Sequence, residues 1–252
     1  GVPGDLVLQK ILGPAGEPVT LTIRRGDETL DVTIVRAKIS VPVVDYQMLE
    51  NEIAYIALTT FNDQATEQLR DALDELMAQN PKGLILDLRN NGGGYLSTAI
   101  EVASEFIHEG VIMYEEYGDG TREVYNAKRG GRATEIPLVV LVNEGTASAS
   151  EIVAGAIQDH GRGKLVGTQT YGKGSVQNWI PLSTEDSGVR ITIARWLTPN
   201  GNQINDVGLT PDVVVEMDEY ANYIQVPADG DTTNVEWHDT QLEAAIQLLL
   251  EQ

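Results

Sequence analysis

The chain has 252 residues, 42% of them apolar, enough for one large domain or one domain with a small appendage. Its formal net charge of -21 would repel phosphate and argues against a nucleic-acid partner. With no cysteine, thiol catalysis, thiolate metal sites and disulfide bonds are excluded.

Leu6 to Leu12 is a short amphipathic segment stopped by Gly13-Pro14. Val19 to Ile23 alternates apolar and polar residues, Gly26-Asp27 supplies a turn, and Thr29 to Val35 alternates again. That pattern predicts a helix followed by a β-hairpin. A helix and hairpin in this order resemble the closing part of a PDZ domain, and the strands and carboxylate-binding loop of its front part are not in the sequence. Residues 1–38 are therefore expected to be a partial PDZ domain, and residues 39–252 a separate core. The chain begins at Gly1 with no methionine, so an export signal has been removed or was never included.

From Ile53 the pattern alternates strands and helices, which predicts an α/β fold. Ile53 to Leu58 reads as a strand. Asp63 to Gln79 reads as a helix, with Leu69, Leu73, Leu76 and Met77 on one face. Gly83 to Leu88 and Pro137 to Val142 are short apolar runs typical of buried strands. Tyr95 to His108 and Ser148 to Gln158 read as helices, Leu165 to Gly167 and Val189 to Leu197 as strands, and Gln241 to Leu250 as a terminal helix. No Lys or Arg follows Arg195, although many acidic residues do, which gives the end of the chain a solvated acidic surface. No run approaches the length of a membrane span.

Ser148 sits where a buried strand hands over to a helix. Orphan N–H groups and the positive end of the helix dipole can stabilise developing negative charge at such a place. A serine needs a base within reach, and a lysine can serve when burial favours its neutral form. Lys173 follows between Gly172 and Gly174, and Gln177 lies four residues further on. The competing reading makes Thr146, Ser148 and Ser150 helix caps. Gly167-x-x-x-x-Gly172-Lys173 also imitates a phosphate-binding loop, but Gly174 stands where the metal-ligating hydroxyl belongs. His108, His160 and His238 are scattered; His160 reads as a helix-end cation, and no metal-ligand spacing is formed.

Four segments carry a family resemblance. The runs Ser148 to Asp159, Gly167 to Gln177 and Leu86 to Gly94, together with Leu197 to Gly201 paired with Gly208 to Asp212, resemble the blocks of the carboxyl-terminal processing proteases. The resemblance implies a crotonase/Clp-protease-like core and a serine endopeptidase that cuts polypeptides near their C-termini. It implies Ser148 as nucleophile, Lys173 as base, Gln177 as the group that positions the lysine, and the Gly93 and Ala149 amides as the oxyanion hole, with Gly94 the other candidate donor. It implies no cofactor, substrates with unstructured apolar C-terminal tails, and an extracytoplasmic location in the bacterial periplasm or envelope. Gly92 departs from the family, which often has proline there. Asp87 and Arg89 read as braces of the glycine loop. Of the two serines in the small-residue run, Ser148 has the family's spacing to the lysine; Ser150 lies roughly 200° further round the helix and faces away. A catalytically silent peptide- or lipid-binding relative and a crotonase-type acyl-CoA enzyme are the alternatives.

Overall fold

The computed structural model describes residues 4–38, 41–183, 187–217 and 239–251. The chain divides into two compact units, Gly1–Pro42 and Val43–Gln252.

In the first unit a helix, α1 (Gly4–Ile11), precedes a hairpin of β1 (Pro18–Arg25) and β2 (Glu28–Val35). The strands pair antiparallel from Pro18 opposite Val35 to Arg25 opposite Glu28, leaving Gly26-Asp27 as the loop. Arg36 joins helix to hairpin: its Nε donates to the Ile11 carbonyl at 2.8 Å and its Nη1 to that of Pro18 at 3.2 Å.

The second unit is mixed α/β. Its main sheet contains β3 (Val44–Met48), β4 (Ile53–Leu58), β5 (Gly83–Asp87), β8 (Leu138–Val142), β9 (Lys164–Gly167) and β12 (Val213–Val214), in the order β12-β9-β8-β5-β4-β3. All neighbours are parallel except β3 with β4. Strands β5 and β8 are buried along their whole length, which explains their continuous apolar sequences. Side chains alternate between the sheet's two faces. Leu84, Leu86, Val140 and Val142 pack with the helices α2 (Ala65–Met77), α3 (Leu96–Phe106) and α4 (Ala149–Asp159). Ile85, Val139, Leu141 and Val166 pack instead with Ala245 and Leu249 of α5 (Thr240–Leu250).

A second, antiparallel sheet has the order β10-β11-β6-β7, from β6 (Val111–Tyr117), β7 (Arg122–Asn126), β10 (Ser175–Pro181) and β11 (Gly188–Leu197). Its outer strand β10 is exposed from Gln177 onward, and the β10–β11 pairing skips Ile193. The helices and strands read from the sequence pattern lie within two residues of those found. Strands β3, β6, β7, β10 and β12 are additions that the pattern did not mark.

Candidate active site

Three loops at the C-terminal ends of β5, β8 and β9 build the site. The glycine loop follows β5. Asn90 adopts a left-handed conformation (φ 59), and its N–H donates to Asn143 Oδ1 at 2.8 Å while Asn143 Nδ2 donates to Asn90 Oδ1 at 3.0 Å. Asn91 is fully buried and ties the loop on three sides. Its Nδ2 donates to the Leu58 carbonyl at 2.7 Å, its Oδ1 accepts the Gly93 N–H at 2.9 Å, and its carbonyl accepts from Ala147 N at 3.0 Å and Ser150 Oγ at 2.8 Å. Gly93 has φ 97, and a Cβ there would lie 2.8 Å from both Ala147 O and Ala149 N. Only glycine permits so close an approach to the loop that carries Ser148.

That second loop joins β8 to α4. Thr146 Oγ1 donates to the Leu88 carbonyl at 2.8 Å, anchoring it to the strand end beside it. Ser148 occupies a sharp turn at φ 58, ψ -117, a strained conformation for a residue with a side chain. It is half-buried, whereas Ser150 is fully buried with its hydroxyl donating to Asn91 O. Ala149 opens the helix, so its N–H is one of the orphan donors of the first turn.

The third loop brings Lys173. One side chain binds it to the serine turn: the fully buried carboxylate of Glu151, in the first turn of α4. Oε2 accepts the Ser148 N–H at 2.8 Å and the Lys173 N–H at 2.9 Å; Oε1 accepts the Gly172 N–H at 2.7 Å and the Thr170 hydroxyl at 2.6 Å. The Tyr171 N–H adds a bond to the Thr146 carbonyl at 3.0 Å, and Trp196 Nε1 donates to the Lys173 carbonyl at 2.9 Å. Sequence reasoning passed over Glu151. The signal was present in Ser148-x-x-Glu151, the spacing by which a first-turn glutamate reaches back to its cap residue.

Ser148, Ala149, Gly94, Lys173 and Gln177 all line one cavity of about 500 Å³, walled on its apolar side by Leu96, Met113, Ile152 and Trp196. Lys173 is exposed rather than buried. Among the described residues no hydrogen bond joins Ser148 Oγ to the Lys173 amine, and none joins Gln177 to Lys173. Gln177 lies on exposed β10, opposite Thr192. Among the described residues no histidine lines the cavity; the His160 ring contacts the Val111 carbonyl at 2.7 Å from the end of α4, His108 is exposed, and His238 lies outside the described residues.

Asp87 and Arg89 stand behind the glycine loop in a separate polar cluster. The Arg89 guanidinium lies between Asp87, at 2.6 Å, and Asp239, at 2.8 Å. Tyr55 donates its hydroxyl to Asp87 Oδ2 at 2.7 Å. Burial and the Asp87 charge push the Tyr55 hydroxyl far above the ordinary tyrosine range. Burial opposes ionisation of Asp239, but the hydrogen bonds and charge of Arg89 outweigh it and hold the carboxyl below its usual value.

Comparison with known proteins accords with this geometry. Residues 52–215 match peptidase family S41. The chain is 43% identical over 227 residues to a carboxy-terminal-processing protease of Bartonella bacilliformis, covering 86% of this chain and 52% of that protein. It is 42% identical over 213 residues to the chloroplastic carboxyl-terminal-processing peptidase 2 of Arabidopsis thaliana, covering 81% of this chain and 41% of that one. The chain thus spans about half the length of these relatives, or less. Among solved structures, the photosystem II D1 C-terminal processing protease superposes with a TM-score of 0.65 at 35% identity, over 81% of this chain and 57% of that one. With a fold of this kind, the loops described and a family match across most of the second unit, the chain belongs to peptidase family S41.

Proposed function

We propose that this chain carries the catalytic machinery of a serine endopeptidase that cleaves polypeptides near their C-termini. Ser148 attacks the scissile carbonyl, and Lys173, as a neutral amine, takes the serine proton and later delivers it to the leaving amine. Gln177 positions the lysine once a peptide fills the cavity. The observation that carries the reading is the Glu151 carboxylate, which binds the backbone of the serine turn and of the lysine loop at once. Nothing in a helix cap alone requires that second attachment.

The oxyanion would be met by the Ala149 N–H with the Gly93 N–H. The Gly93 N–H is engaged by Asn91 Oδ1 and must be shared or released to act. Gly94, whose N–H has no acceptor among the described residues, is the alternative donor already lining the cavity. A peptide in the cavity would cover the exposed Lys173 amine and exclude water from it. The apolar wall of Leu96, Met113, Ile152 and Trp196 suits apolar substrate residues, in keeping with unstructured apolar tails as targets. The helix and hairpin of the first unit fit the closing part of a PDZ domain, and the second unit fits a crotonase/Clp-protease-like core. Likeness to bacterial and chloroplast processing proteases supports work outside the cytoplasm.

The test is labelling with a serine-reactive fluorophosphonate, then site mapping by mass spectrometry, alongside cleavage of a protein bearing an apolar tail. Label on Ser148, and a loss of turnover of about 10²–10⁴-fold in Lys173→Ala, is the expected result. Lys173→Arg should fail equally, because a guanidinium does not give up its proton. Label on Ser150, or near-normal turnover in folded Lys173→Ala, overturns the assignment.

A further inference from the structure

The charges around the catalytic cavity run against those of the whole chain. Acidic residues outnumber basic ones 38 to 17, yet no carboxylate lines this cavity among the described residues, while Lys173 and Arg190 both do. Lys173 is assigned to the chemistry. Arg190 is not, and it forms no ion pair or hydrogen bond with any described residue.

Its position is defined by the β10–β11 pairing. Arg190 is directly opposite Trp179, so the two share one face of the sheet. Trp179 packs closely over Gly188, where an added Cβ would lie 2.3 Å from its ring, and Trp179 and Arg190 both line the cavity. Ser175, Gln177 and Trp179 alternate along β10 and line the cavity together. Ser175 is two residues from Lys173 and four from Trp179, a span of roughly 13 Å at about 3.3 Å per residue. An extended peptide with its scissile bond at Ser148 would therefore bring a residue three or four positions away to the outer end of the cavity, between Trp179 and Arg190.

We propose that Arg190 is a specificity residue that recognises a carboxylate three or four residues from the scissile bond. The carboxylate is either the substrate's own C-terminus or an Asp or Glu side chain at that distance. A planar guanidinium whose five donors are uncommitted among the described residues matches a carboxylate in two-point geometry. Among the described residues no acidic group lines the cavity with it, so an anionic tail meets less repulsion there than this strongly acidic chain would otherwise offer. The inference rests on reading the cavity as a peptide site.

The experiment separates the two readings by measuring binding apart from turnover. Fluorescence polarisation on the Ser148→Ala protein compares three otherwise identical apolar peptides: one with a free C-terminal carboxylate, one amidated, and one amidated with Glu four residues from the cleavage site. At least one anionic peptide should bind about tenfold tighter than the neutral one, as a charge-assisted hydrogen bond allows. Which of them does so identifies the source of the carboxylate. Adding Arg190→Gln should collapse the preference, Arg190→Lys should keep part of it, and Arg190→Glu should turn it towards a peptide carrying Lys. Raised salt should weaken it. Equal binding of all three peptides, or a preference that survives Arg190→Gln, overturns the proposal. If the parent protein cleaves none of the peptides, the peptidase reading fails, while the binding ratios still decide the role of Arg190.

Discussion

Gly92 and Gly93 are neighbours in sequence and opposites in tolerance. A Cβ on Gly92 meets nothing within 4 Å, whereas one on Gly93 meets the backbone on either side of Ser148 and sits at φ 97. Gly93→Ala should therefore push the glycine loop off the serine turn and cost roughly 1–3 kcal/mol in strain alone. Gly92→Ala should melt like the parent. Thermal melts with fluorophosphonate labelling check both, and a fully labelled, stable Gly93→Ala protein would count against this packing. Glu151 offers a finer probe. Glu151→Gln keeps the volume but turns an NH₂ towards N–H groups that now donate to oxygen. At least one buried donor then goes unsatisfied, at roughly 1–3 kcal/mol. Labelling of Ser148 should fall together with stability; unchanged labelling would show that the carboxylate is not what holds the turn. The residues to which the chemistry is assigned by proposal, Ser148 and Lys173, stood out in the sequence because short motifs fix their spacing. The braces did not, because Asn91, Asn143 and Glu151 act through partners far away in the chain.

At the scale of elements, the sequence was legible where burial was uniform. Strands β5 and β8 are apolar throughout because both faces are covered, and α2 shows its buried stripe. Strand β6 hides itself: Glu115 is buried within it and accepts a hydrogen bond from Tyr125 of β7 at 2.9 Å, so a charged residue sits where alternation demands an apolar one. Strand β10 is exposed for most of its length and ends at Pro181, as suits an edge strand with little core to specify it. Helix α5 shows how an element is pinned by charge. Asp239 caps it, accepting the Leu242 N–H at 2.9 Å, and is held in turn by Arg89. Because the folded-state pKa of Asp239 is lowered, its contribution is present above the ordinary value of 3.8 and is lost as pH falls through the lowered one. Melting temperatures taken from pH 5 downward should drop more steeply for the parent than for Asp239→Asn. Parallel pH curves would remove Asp239 from the account of acid stability.

At the scale of the whole molecule, the two apolar clusters among the described residues are built from Val43–Gln252. A protein starting at Val43 should accordingly fold by itself, with a cooperative melt and the circular dichroism of a mixed α/β protein. An aggregated or non-cooperative product would show that the first unit is needed for folding. Two domains were expected from the change of pattern after the hairpin. The division of the second unit into two sheets was not, because the two hairpins of the smaller sheet, β6–β7 and β10–β11, meet only where β11 pairs with β6, between residues more than sixty positions apart such as Tyr117 and Ala194.

The attachment of two loops to one carboxylate has a dynamic consequence. Neither loop can open without releasing a donor that the other's anchor must then do without, so the two should fluctuate as one cooperative unit. The Ser148, Gly172 and Lys173 amides, although far apart in sequence, should exchange their hydrogens with a common opening free energy, distinct from that of the exposed β10 hairpin. The proposed nucleophile and base would then come into place and leave it together, and the chain would have no half-assembled state with the serine turn formed but no lysine loop beside it.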